Sequence, residues 1–474
     1  MKKQLLFAVA IFTAMALQAQ IKDPGVYPMV QNYKLESLWI QSRNTSNYPA
    51  IGYGVSGGAA TTADARSMAG KDGKILFCYR EADVSGTNRT LERYVRRTKV
   101  LIYNGLTGEL ERTIALPDSL FHQKDATSDT IRAIGYPAND IQVDAAGNIV
   151  LMGMTTNLGV TPLIVYGLKF DLATGTVLQV KRLLKESYAV AVGARIDAFN
   201  VYGDLFNNGY FMAAISGSSA GLSNFVYKWD VANGVTNIEY KEIEIKRYVP
   251  IATKFNDTAP RVKPITETLF YLDGQASYPT LYDMSGTVID TIAKANWPAS
   301  PGNNGVDEFV LGGKNFVVYS NANTAVAPKS SWAVAELGPG QNLSTMTKLF
   351  VFPAEGMGST SNGVRTAVPY IDVIGDVAYI YVYGFNNGLA AYKFSISPAS
   401  VTNPNTSSVE INVVNKQIKF SETVAKADIF SVTGQKFAAE KNVTQFSNLL
   451  NNGVYIVSLT DKAGKSKIQK VIIN

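Results

Sequence analysis

One supersecondary unit recurs through the middle of this chain, and it restricts the fold more than any other feature. From about residue 60 to 397, an apolar hairpin is followed each time by a second hairpin whose outer strand is more polar. The first hairpins are Ser67–Tyr79 around Lys71-Asp72-Gly73, Ile141–Met152 around Asp144-Ala145-Ala146-Gly147, and Ile196–Ala214 around Asn207-Asn208-Gly209. They continue as Val262–Leu272, Glu308–Tyr319 around Gly312-Gly313, and Ile371–Tyr383 around Gly375-Asp376. Runs such as Ile149-Val150-Leu151-Met152 and Tyr379-Ile380-Tyr381-Val382-Tyr383 ask for burial on both faces of the sheet. The second hairpins are Val100–Leu110, Val165–Val180, Phe225–Ile238, Thr280–Ile292 and Trp332–Leu349, with a truncated copy at Leu389–Ile396.

Two hairpins make a four-stranded sheet, and six such units of about 50–60 residues predict an all-β chain folded as a β-propeller. A seven-bladed ring or a β-helix is the alternative. Insertions at Glu81–Lys99 and Asp118–Tyr136 loosen the period, and the last unit lacks its outer strand. Leu35-Glu36-Ser37-Leu38-Trp39-Ile40 is placed to supply it and close the ring.

Composition agrees with strands and turns. Hydrophobic residues make up 46%, aromatics 11% and charged residues only 17%, with 39 glycines. The formal net charge is +6, and two of those charges, Lys2 and Lys3, lie in a leader. The remaining charges are scattered except for Arg89, Arg93, Arg96, Arg97 and Lys99 beside Glu92. That cluster reads as a solvated surface, and no nucleic-acid partner is expected. The single cysteine, Cys78, lies in the apolar run Ile75–Tyr79, where a thiol behaves as a small hydrophobe.

The two ends read as addresses. Met1-Lys2-Lys3, an apolar run from Leu5 to Leu17 and the exit Gln18-Ala19-Gln20 have the form of a cleaved signal peptide. Residues 1–19 are its extent, with the cut between Ala19 and Gln20. The run is too short for the ~20 residues of a spanning helix, so no transmembrane anchor is expected. Residues 20–397 form the propeller domain, 398–407 a linker rich in Pro, Ser, Thr and Asn, and 408–474 a small β-sandwich. Its expected strands are Ser408–Val414, Gln417–Ser421, Ala427–Ser431, Gly453–Thr460 and Ser466–Ile473.

This tail also resembles the C-terminal sorting domain (type A) of the type IX, or Por, secretion system of Bacteroidetes. The pieces that carry the resemblance are Ile429–Lys436, Phe446-Ser447-Asn448-Leu449, Gly453-Val454-Tyr455-Ile456-Val457 and Lys470-Val471-Ile472. Of the aromatic-Pro-Asn-Pro signature that opens such domains, only Asn403-Pro404-Asn405 remains, which leaves the processing point open. The resemblance implies engagement of the type IX machinery, passage across the outer membrane, and then removal of the tail with attachment to the cell surface or release into the medium. Without that apparatus, delivery would stop in the periplasm.

Asp140, Asp197, Asp307 and Asp372 open four of the first hairpins, and Arg66 and Arg261 take comparable places in the other two. First strands line a propeller's channel, so this column is expected at the channel mouth. It suits a hydroxylated ligand such as a glycan, or calcium on oxygen ligands; the alternative is ion pairs that hold blades in register. No other cofactor is implied. The one histidine, His122, lies in a polar insertion and leaves no His-based zinc site. Gly52–Gly58 lacks the Lys-Ser/Thr ending of a phosphate loop. Trp297, and four Asp-Ser/Thr-apolar triplets similar to the O-glycosylation sequon of exported Bacteroidetes proteins (at Asp118, Asp129, Asp257 and Asp290), are weak signals. The expected function is a non-catalytic surface propeller that binds a glycan or a protein. The alternatives are a carboxylate-based polysaccharide hydrolase or lyase and a purely structural surface protein.

Overall fold

The computed structural model describes residues 23–42, 67–80, 98–115, 122–124, 131–133, 136–155, 158–159, 162–171, 174–188, 195–216, 225–245, 260–274, 278–293, 296, 305–321, 328, 330–358, 367–384, 387–397, 407–431, 435–446 and 450–473. It divides into two compact units, 1–397 and 398–474.

The first unit is a six-bladed β-propeller. Blade 1 comprises Met68–Lys71, Lys74–Arg80, Thr98–Asn104 and Leu110–Ala115. Blade 2 comprises Tyr136–Val143, Ile149–Met154, Leu163–Asp171 and Thr176–Glu186. Blade 3 runs Phe199–Gly203, Gly209–Ala214 and Phe225–Ala232, and its outer edge is shared by two short strands, Val235–Thr236 and Lys241–Glu244. Blade 4 comprises Arg261–Pro264, Leu269–Asp273, Thr280–Asp283 and Val288–Thr291. Blade 5 comprises Val306–Leu311, Lys314–Asn321, Ser331–Gly338 and Asn342–Phe352. Blade 6 comprises Ala367–Ile374, Val377–Gly384 and Gly388–Ile396, and its fourth strand is Tyr33–Ser42. The N-terminal segment therefore closes the ring, pairing from Tyr33↔Ile396 to Ser42↔Gly388.

Packing between blades closes the ring as well. Separate apolar cores join blades 1 and 2, 2 and 3, 3 and 4, 4 and 5, 5 and 6, and 6 and 1. This follows from the apolar second strands: Ile149–Met154 is buried at every position, with alternate side chains facing opposite neighbouring blades. Val150 and Met152 join the core with blade 3, whereas Ile149 and Leu151 join the core with blade 1.

The closing strand is fixed by polar as well as apolar contacts. Trp39, 2% exposed, packs in the core between blades 6 and 1 and donates its indole N–H to the Gly105 carbonyl at 2.8 Å. Gly108 has φ +68°, and a Cβ there would meet the Trp39 ring at 2.8 Å, so this turn requires glycine on both counts. Upstream, the buried Asp23 accepts hydrogen bonds from the hydroxyls of Tyr27 and Tyr392, while its own N–H donates to Ser37 Oγ at 2.9 Å. The Tyr27 hydroxyl in turn accepts from Ala354 N–H at 2.9 Å.

The second unit is a small β-sandwich around Ile418, Val424, Ile429, Val457, Leu459 and Ile473. Two segments read from the sequence as separate strands form one long strand, Gln417–Ser431, with a register shift between Lys419 and Val424. A further strand, Lys436–Gln445, pairs with it. The sequence gives no signal for it, because its residues are mostly exposed and carry no apolar alternation. In Gly453–Thr460 the alternation does what it predicts: Tyr455, Val457 and Leu459 are buried and their neighbours are not.

Candidate functional site

The six first strands surround a central cavity of about 110 Å³. Each blade contributes to its lining, among them Gln142, Asn200, Arg261, Lys263, Asp307 and Tyr370. Tyr370 lies against blade 1 because Gly70 has no side chain: a Cβ there would stand 2.2 Å from the ring. The Tyr370 and Tyr381 rings stack at 5.9 Å.

Charges at this hub are arranged as linked pairs. Lys263 Nζ lies 3.0 Å from Asp307 Oδ1, which also accepts the Glu308 N–H at 2.9 Å. Beside it, Glu308 accepts a hydrogen bond from the Tyr271 hydroxyl of blade 4. Arg261 Nη1 lies 3.6 Å from Asp140 Oδ2, and that oxygen accepts the Phe199 N–H of blade 3 at 2.8 Å. Asp140 Oδ1 accepts the Ile141 N–H at 2.9 Å. One carboxylate thus joins the first strands of blades 2, 3 and 4.

Burial dominates the electrostatics. It pushes Asp140 above the ordinary carboxylate range despite the Arg261 guanidinium, and it pushes Asp307 up despite Lys263. Glu308 is raised by burial and by the neighbouring Asp307 charge, against the opposing Tyr271 hydrogen bond.

Of the sequence-derived column, Arg261 and Asp307 line the cavity. Asp140 is fully buried at the junction of blades 2 and 3. Asp197 precedes the first strand of blade 3, where Oδ1 pairs with Arg195 Nη2 at 2.5 Å and its carbonyl accepts from Asn139. Asp372 lies toward the turn end of its strand, and Oδ2 accepts the Gly73 N–H of blade 1 at 2.5 Å. Arg66 lies outside the described residues. The four carboxylates therefore do not converge on one rim, because backbone N–H groups and cations of adjoining segments take them at different heights along the channel. Among the described residues, no group of three or more His, Cys, Asp or Glu is gathered closely enough to hold a metal ion.

Sequence reasoning missed Lys263, Glu308, Gln142 and Asn200. Lys263 and Gln142 had a readable signal, since each stands two positions from a residue of the column, Arg261 and Asp140, in the same strand and so shares its face. Glu308 and Asn200 carried none. Gly52–Gly58, Trp297 and the triplets at Asp118, Asp129 and Asp257 lie outside the described residues, and His122 is described only as backbone in a short hairpin strand. Asp290 is structural: Oδ2 accepts the Leu343 and Ser344 N–H groups of blade 5 at 2.7 and 3.1 Å. Cys78 is buried in the core between blades 1 and 2.

No protein-family model matches the chain, and no curated protein matches it in sequence. Solved structures similar to it include the Trypanosoma rangeli sialidase, at 11% identity over 93% of this chain and 89% of that one, with a TM-score of 0.37. The same sialidase in complex with 2,3-difluorosialic acid, a covalent intermediate, gives 11% identity over 94% and 89%, with a TM-score of 0.38. A mutant of it displaying trans-sialidase activity gives 12% over 95% and 90%, with a TM-score of 0.37. Likeness at this level carries nothing about the site, and the blade topology itself defines the fold.

Proposed function

We propose that this chain is an exported binding propeller that takes a hydroxylated ligand, a glycan, at the mouth of its central cavity. The observation that carries the reading is the lining: donors (Lys263, Arg261, Gln142, Asn200) interleave with acceptors (Asp307 and the amide oxygens) from several blades. Sugar hydroxyls both donate and accept, so such a surface matches them better than it matches an ion of one sign. Size restricts the pose. At about 110 Å³ the cavity is well below the roughly 300–1,000 Å³ of sites that engulf a small molecule. A glycan would lie across the mouth and insert one substituent.

Delivery fits the same reading. The leader at residues 1–19 starts export, and the tail from 408 acts as a type IX sorting module, placing the mature protein at the cell surface or in the medium. Among the described residues no helix is long and apolar enough to cross a membrane.

The test is a glycan panel probed with the mature chain, recording both retention and release of reducing ends. Retention without release, weakened about tenfold or more by Lys263→Met, is expected for loss of a charged hydrogen bond. Catalytic release that disappears in Asp307→Asn or Glu308→Gln would replace this reading with that of a polysaccharide-active enzyme. Retention of protein ligands alone would move the function to a protein partner.

A further inference from the structure

The net charge of this protein is concentrated in its C-terminal unit. Residues 20–397 carry equal numbers of acidic and basic side chains, whereas Pro398–Asn474 holds nine lysines against five acidic residues. Strand register places much of that excess on one face. Across Lys436–Gln445, Gln417–Ser431, Gly453–Thr460 and Ser466–Ile473, the row opposite the core reads Lys436, Phe430, Ile456, Lys470. The next row reads Ala439, Asp428, Ser458, Ile468, and the one beyond it Lys441, Lys426, Thr460, Ser466. Val454 and Ile472 form a pair at the other end of the same face.

Two features of this face call for a partner. Ile468 is 71% exposed, Ile472 58% and Val454 37%, in a sheet whose opposite side already supplies the core. Lys426 and Lys441 stand directly opposite each other, a like-charge pair that repels in an isolated sheet. The single acid, Asp428, is bracketed by Lys426 at 2.9 Å and Lys436 at 2.7 Å, so the face remains net positive.

We propose that this outer face docks on an anionic lipid surface, with Ile468, Ile472 and Val454 entering the interface and Lys426, Lys436, Lys441 and Lys470 meeting headgroup phosphates. Bases beside exposed aliphatics fit an amphiphile that offers negative charge and hydrocarbon at the same depth. The assignment is independent of the propeller's ligand.

Co-sedimentation of residues 20–474, with the tail retained, with phosphatidylcholine vesicles, with and without about 30 mol% phosphatidylglycerol, tests it. Binding is expected with the anionic vesicles alone, falling as salt screens the lysines. The double substitution Ile468→Asp and Ile472→Asp should weaken it about tenfold or more. Lys426→Gln with Lys470→Gln should weaken it and flatten the salt dependence. These side chains are exposed, so unchanged melting of the C-terminal unit checks that the variants fold. Absence of vesicle binding, equal binding to neutral vesicles, or full binding by both variants would overturn the proposal. Self-association or capture of an acidic protein, lost in the same variants without vesicle binding, would also overturn it by giving the face another occupant.

Discussion

Two buried aspartates, one in each folded unit, sit in opposite electrostatic states. Asp140 in the propeller is completely buried, and burial holds it above the ordinary carboxylate range even with Arg261 at 3.6 Å. Asp428 in the C-terminal sandwich is pushed up by burial too, but hydrogen bonds from Lys426 and Lys436 outweigh that and hold it below the usual range. The difference lies in what surrounds each group. At the hub, Asp140 is enclosed between its own strand and blades 3 and 4, and two of its contacts are neutral backbone N–H groups. On the outer sheet face, half-exposed lysine side chains reach Asp428 from two strands. A carboxylate in the ring ties blades together; one on the sandwich face tunes a surface.

The largest expected effect breaks the ring itself. Deleting residues 23–42 removes the fourth strand of blade 6, the Asp23 hydrogen bonds and the buried Tyr33, Leu35, Trp39 and Ile40. At about 1.5–3 kcal/mol for each fully buried large side chain, the loss is comparable with the roughly 5–15 kcal/mol that holds a domain together. The propeller's cooperative transition should vanish in calorimetry while that of the sandwich persists. A surviving transition near the original temperature would mean that the ring does not depend on this strand.

Asp140→Ala and Asp428→Ala sharpen the comparison at single residues. The first removes the buried carboxylate that pairs with Arg261 and accepts the Phe199 N–H, and should lower propeller stability by about 3 kcal/mol. The second relaxes a partly solvated cluster and should change the sandwich by less than about 1 kcal/mol. Denaturant titration monitored separately for each unit measures both. Equal effects would mean that the two aspartates do not differ in what they hold together.

The blades were legible because each required only local information. Tight turns at Asp144–Gly147, Asp283–Gly286 and Gly312–Gly313 separate runs whose burial pattern is set by the residues themselves. Even the closing strand could be read, since the last unit lacked a partner and Leu35–Ile40 was free to supply one. The split outer edge of blade 3 and the strand Lys436–Gln445 were not legible, because neither carries a buried alternation. The site was harder still. Whether an aspartate at a strand start faces the channel or caps the next blade depends on donors such as Phe199 N–H and Gly73 N–H, which belong to other repeats. Spacing within one repeat does not encode that choice.

A smaller effect appears in pH dependence. Asp307 has a raised folded-state value, so its charged form is penalised at neutral pH. That penalty is relieved as pH falls through the folded value and is gone below the unfolded one. The stability of wild type relative to Asp307→Asn should therefore rise as pH is lowered from 7 toward 4. Asp428 has a lowered value, and its contribution is present above the unfolded value and lost as pH falls through the folded one. Wild type relative to Asp428→Asn should lose ground below about pH 4. Chemical denaturation across that range reads both signs, and a common sign would contradict the assigned environments.

The most direct test of two separately built units is a chain ending at Ser397. Every blade, all the inter-blade cores and the ring-closing strand lie before that point. The truncated protein should show the propeller transition within about 0.5 kcal/mol of that in the full mature chain, the limit for independent sites. It should also retain any glycan that the full chain binds. A large cooperative loss of propeller stability in the truncated chain would show that the C-terminal unit is part of the same core, and would contradict the account.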